Sequence, residues 1–121
     1  MTPDAQDDAA RALPEVRSLF DAGGEGETID VVASGGAFRL EFIVSRGAAS
    51  PDGFWYDQDN PEWVVLVRGA AVLEFRVGRL ALRAGDGLLI PAHLEHRVAE
   101  TSVDAVWLAA HFAADTGGRS A

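Results

Sequence analysis

The sequence predicts an all-β fold, an antiparallel β-barrel preceded by a short N-terminal helix. Three observations carry this expectation. From Phe38 onward apolar and polar residues alternate in short runs. Glycines interrupt those runs at Gly47, Gly53, Gly69, Gly78 and Gly85. The length, 121 residues, has room for one domain. Many short strands sharing one core pack as a sandwich or close into a barrel.

The elements follow in chain order. Residues 1–12 form an acidic lead expected to fray. Residues 13–22 predict a short helix, because Val16, Leu19 and Phe20 share a face at helical spacing. Gly23, Gly24 and Gly26 end it. Residues 1–22 are thus an N-terminal arm, 28–113 the barrel and 114–121 a disordered tail. Phe38, Leu40, Phe42 and Val44 alternate with Arg39, Glu41 and Ile43, the pattern of a half-buried strand. Further strands are expected over 62–67, 71–77, 79–83, 87–90, 96–99 and 105–112. Leu73, Phe75 and Val77 before Gly78, with Leu80 and Leu82 after it, read as a hairpin. Leu40, Phe42, Leu73, Phe75, Leu80, Leu82, Leu89 and Leu108 are the expected core.

Composition narrows the chemistry. The chain has no cysteine, which excludes disulfides, thiolate zinc sites and cysteine nucleophiles. All ten basic residues are arginine, so no lysine can form a Schiff base. A net charge of −9 with no basic stripe repels nucleic acid and anionic membranes. No apolar run reaches the roughly 20 residues of a spanning helix. The acidic, polar start is unlike a signal peptide. A cytoplasmic protein is expected. No nucleophile elbow, P-loop or Rossmann turn is present.

Two stretches carry a family resemblance. Gly85-Asp-Gly-Leu-Leu-Ile-Pro91-Ala-His93-Leu-Glu-His96 resembles the second cupin motif, with His93 where glycine is usual and Glu100 where asparagine is usual. Glu62-Trp-Val-Val-Leu-Val-Arg-Gly69 resembles the end of the first motif. The chain departs from the family at the His-x-His pair, whose place is taken by Trp55-Tyr56-Asp57-Gln58. With Ile43–Gly47 and Val106–Phe112, that tetrapeptide resembles the signature of a subgroup of small cupins. The resemblance spans roughly residues 36–112 and implies a jelly-roll barrel, a homodimer and a pocket for a divalent metal such as Mn, Fe, Ni or Zn. The arm's Leu13, Val16, Leu19 and Phe20, which need a surface to cover, also favour a dimer.

By this resemblance His96 and Glu62 are metal ligands, with Gln58 or Asp57 in place of the missing histidine and His93 as a further donor at the rim. A three-residue spacer to Glu62 selects Gln58 and a four-residue spacer selects Asp57. Strand alternation forbids both from pointing inward without a bulge. Each has a plainer role: His96 as a barrel-lining histidine, Glu62 as a solvent-facing strand start, Gln58 and Asp57 as loop caps, His93 as a hydrated loop residue. Tyr56, Trp55, Trp63, His111 and Trp107 are expected around a ligand pocket, or else as ordinary core. Arg39, Arg68 and Arg97 are available to pair a ligand carboxylate. Three functions compete: a metal-dependent enzyme (a dioxygenase, isomerase or decarboxylase) on a small polar organic molecule, a ligand-binding or sensor module without chemistry, and a metal-holding barrel.

Overall fold

The computed structural model describes residues 13–20 and 23–113. Among the described residues eight strands follow one another: β1 (Thr28–Gly35), β2 (Phe38–Val44), β3 (Glu62–Arg68), β4 (Ala70–Phe75), β5 (Gly78–Arg83), β6 (Gly87–Ile90), β7 (His96–Thr101) and β8 (Val106–His111). They form a five-stranded sheet, β1-β2-β8-β3-β6, and a three-stranded sheet, β5-β4-β7. Every ladder is antiparallel. Between the sheets Val64, Leu66, Ala71, Leu73, Phe75, Ile90, Ala105, Trp107 and Ala109 make the main core. The all-β antiparallel architecture is the expected one.

β3 shows how the sequence builds it. Glu62, Val64 and Leu66 turn inward and are buried, while Trp63 faces out. The β-branched valines suit the pleat. A tight turn at Gly69 leads into β4, with φ at +86°. A Cβ there would strike Ser102 Oγ, and would lie 2.8 Å from Asp104 Oδ1 and 2.9 Å from the Ala105 Cα. Only glycine fits this corner. Gly69→Ala is expected to cost about 2–4 kcal/mol, since it adds a clash with backbone to an unfavourable φ. Urea unfolding measures it, and a cost below about 0.5 kcal/mol would refute this account of the corner.

Four expectations need correction. Leu13–Phe20 carry no helix, and Asp21 and Ala22 lie outside the described residues, as do the acidic lead and the tail. Leu13 and Val16 are exposed, but Leu19 packs on the outer face of the five-stranded sheet, and Arg68 lies 4.8 Å over the Phe20 ring. Contact with the sheet, not a helical face, is what organises this segment. Second, β1 was not anticipated: its paired Val31-Val32 breaks the alternation, and its register with β2 shifts between Val31 and Ala33.

Third, Leu80 and Leu89 are exposed, not core. Leu80 stands opposite buried Leu73, but β5 is an edge strand and no described strand pairs with its far side. Leu89 stands opposite outward Trp63, so Leu88 and Ile90 are the inward residues of β6. Finally, β2 faces the opposite way from its simplest reading. Arg39, Glu41 and Ile43 face the barrel interior. Phe42 and Val44 are buried on the outer side with Val106, against Leu19, Val32, Val67 and Leu108. Both faces of this strand are covered, so the more apolar face is not the one toward the barrel interior.

Candidate functional site

The barrel encloses a cavity of about 240 Å³. Its polar lining is Glu27, Arg39, Glu41, Ser45, Tyr56, Gln58, Glu62, His96 and His111. The apolar remainder is Ile29, Ile43, Val64, Leu73, Ile90, Val98 and Trp107.

Strand starts and register bring the chemistry together. His96 opens β7, and its backbone exchanges two hydrogen bonds with Tyr56, at 2.7 and 3.1 Å. The Tyr56 ring stacks on the imidazole with centroids 5.3 Å apart, and Phe54 meets Tyr56 edge-on. His96 Nδ1 lies 2.8 Å from the Leu94 carbonyl. A carbonyl only accepts, so Nδ1 donates and the neutral ring keeps its lone pair on Nε2. His96 is buried, and Nε2 points across the cavity at Glu62 Oε1, 3.8 Å away.

Glu62 opens β3 directly opposite His111 on β8. Its second oxygen is 3.9 Å from His111 Nε2. Neither approach is short enough for a hydrogen bond. The carboxyl therefore sits between two imidazoles with room for a water or a ligand atom. Burial raises its pKa above the ordinary glutamate range, against the opposing pull of His111 and then His96. His111 Nε2 donates to Glu41 Oε1 at 3.1 Å, and Arg39 Nε donates to the other Glu41 oxygen at 2.8 Å. The Tyr56 hydroxyl is also pushed upward, chiefly by burial and then by Glu27, Glu62 and Glu41. On the inner wall Trp107 Nε1 donates to buried Ser45 Oγ at 2.9 Å.

Of the residues singled out in the sequence, His96, Glu62, Gln58, Tyr56, His111 and Trp107 line the cavity. Asp57, His93, Trp55 and Trp63 do not. Asp57 and His93 bond each other at 2.7 Å on the exposed rim, where that bond raises the His93 pKa. His93 N also donates to the Gln58 carbonyl, so the rim pair ties the two mouth loops together. Gln58 thus faces the cavity and Asp57 the rim. Trp55 lies under Arg76, 4.0 Å from its guanidinium carbon. Trp63 points outward beside Gly87, where a Cβ would lie 2.8 Å from its ring. Arg97 serves Glu74 and the Ser50 carbonyl, and Arg68 pairs with Asp104.

Sequence reasoning missed Glu27, Glu41 and Ser45. Glu41 and Ser45 lie on the face of β2 and its extension that alternation marks as polar, and nothing local distinguishes a cavity wall from solvent. Glu27 precedes β1, the strand that was not anticipated.

Fold and cavity together define a jelly-roll barrel with an ionisable interior. No protein-family model matches the chain, and no curated protein matches it. Among solved structures, a protein from Ralstonia eutropha JMP134, described as a candidate mannose-6-phosphate isomerase, is 39% identical over 84% of this chain and 100% of its own, with a TM-score of 0.77. A cupin superfamily protein from Desulfitobacterium hafniense DCB-2 is 18% identical over 84% and 95%, with a TM-score of 0.68. KdgF from a Halomonas species is 18% identical over 78% and 87%, with a TM-score of 0.64. The chain has the cupin fold.

A cupin metal centre needs three or four strong donors on one point. Here the His-x-His positions hold Tyr56 and Gln58. His111 has its Nε2 committed as a donor to Glu41. That leaves His96 Nε2 and Glu62, with a neutral amide as third. Among the described residues no group of three or more His, Asp or Glu side chains is arranged to hold a metal ion. The donor set falls short of such a centre.

Proposed function

We propose that this cupin binds a small polar organic molecule in the cavity and moves a proton on it, an isomerase-like reaction with Glu62 as the acid–base group. One observation carries the reading. Glu62 is a buried carboxyl with a raised pKa, facing a 240 Å³ cavity without a hydrogen bond of its own. An acid–base group works best when its pKa is brought toward the working pH. His96 presents a lone pair to the cavity, while the His111 Nε2 proton is committed to Glu41. A bound molecule would thus meet a base and an acceptor within one small space. The name of the Ralstonia relative favours the same reaction class. We also place the chain in the subgroup marked by Trp55-Tyr56-Asp57-Gln58. In that segment Tyr56 and Gln58 supply cavity wall, while Trp55 and Asp57 hold the rim.

The test is proton NMR in D2O with a panel of small aldoses and α-hydroxy ketones. Deuterium incorporation next to the carbonyl of at least one compound, unchanged after dialysis against a chelator, is expected. No incorporation with any compound would overturn the reading. Activity lost with chelator and restored by Mn²⁺ or Zn²⁺ would replace it with a metal-dependent enzyme held by His96, Glu62 and Gln58. What favours that alternative is the His96 Nε2 lone pair, which faces a carboxylate 3.8 Å away.

A further inference from the structure

We infer that the cavity selects its occupant by charge: it takes a small amine in preference to a neutral analogue, and rejects phosphate- and carboxylate-bearing molecules. The inference rests on the reading of the cavity as a ligand site and names its substrate class.

The lining carries more carboxyl groups than cationic ones. Among the described residues three carboxyl groups line it, Glu27, Glu41 and Glu62, against one guanidinium, Arg39. That guanidinium is held by Glu41 at 2.8 Å, and the other Glu41 oxygen takes the His111 proton at 3.1 Å. The guanidinium charge is matched by the Glu41 carboxylate beside it, so an anion at the remaining guanidinium N–H groups also meets that carboxylate. An ammonium group finds the Glu62 oxygens, which lack hydrogen bonds, and the His96 Nε2 lone pair. The two side chains are only 10% and 6% exposed. The Tyr56 ring adds an aromatic face to the same wall. Burial raises both Glu62 and Glu27, the mark of carboxyls that gain from a cation beside them. The net charge of −9 repels anions on approach. The apolar walls at Ile43, Leu73 and Trp107 suit a hydrocarbon body behind the polar head.

A matched trio separates charge from shape: cyclohexylmethylamine, cyclohexylmethanol and cyclohexanecarboxylate, titrated calorimetrically into the full chain at low salt and pH 8. The amine is expected to bind at least about tenfold tighter than the carboxylate, with the alcohol between them. The gap should shrink in high salt. Glu41→Gln releases Arg39 and should raise carboxylate affinity. Glu27→Gln, just before β1, should weaken the amine alone. Carboxylate binding equal to or tighter than amine binding would overturn the charge inference while leaving the ligand site standing. Failure of all three to bind the wild-type chain would overturn the ligand site and the inference with it.

Discussion

Leu66→Ala is expected to destabilise the protein by about 3–5 kcal/mol. Leu66 is 0% exposed in the middle of β3, within the main core, and its register partner on β8 is buried Trp107. Its backbone is fixed by the Gly85–Asp86 turn on one edge, where Leu66 N donates to the Asp86 carbonyl at 2.9 Å and the Leu66 carbonyl accepts from Gly85 N at 2.8 Å, and β8 pairs along the other. The strand cannot settle inward to fill the space, so the cavity term adds to the lost burial. For a chain of this size the loss corresponds to about 10–20 °C in Tm. Leu80→Ala is the matched control. Leu80 is 47% exposed on an edge strand and should cost under about 1 kcal/mol. Chemical denaturation of both variants decides the matter, and equal losses would mean that the core lies elsewhere.

The contrast between those two leucines marks how far the fold was legible. Alternation located seven of the eight strands, and matched the bounds of β2 and β6, because a strand's period of two is a local property. It also located the hairpin, although β4 ends at Phe75 and Arg76 and Val77 form the turn. Whether an apolar side chain is covered is not local. Leu80 has the right parity and lacks a neighbour, because strand order leaves β5 at an edge. Phe42 and Val44 are buried on the side away from the cavity, because the segment carrying Leu19 covers a face that alternation alone would expose.

The site was legible where it rests on strand starts. His96 and Glu62 each open a strand after a loop, and the two starts converge on one cavity. What the sequence could not supply is the second layer around them. Glu41 and Arg39 alternate with leucine and phenylalanine in β2, and read locally as solvated charges. Only the pairing of β2 with β8 brings Arg39 opposite His111 and makes the Arg39–Glu41–His111 chain. The tautomer of His96 likewise depends on the Leu94 carbonyl two residues earlier, a feature of loop conformation and not of residue type.

Glu62→Gln should separate function from stability, because the same burial governs both. Glu62 binds its proton more tightly in the folded chain than in the unfolded one, since its folded pKa is raised. Its contribution to stability is therefore full below the ordinary glutamate range and is lost as pH rises through the raised value. Above that value the folded state carries a buried carboxylate whose desolvation the imidazoles at 3.8 and 3.9 Å only partly offset. Glutamine keeps the shape and never ionises. The variant is expected to be more stable than wild type at neutral pH, with the difference shrinking as the solution is acidified toward the point where Glu62 is protonated. Solvent-proton exchange on the substrate should fall by about 10²- to 10⁴-fold, the usual contribution of a positioned acid–base group. Thermal melts across pH and NMR exchange rates on the same preparations check both halves. A variant that keeps the wild-type exchange rate would remove Glu62 from the chemistry. One that is less stable at neutral pH would mean that its carboxylate is held by the fold, not strained by it.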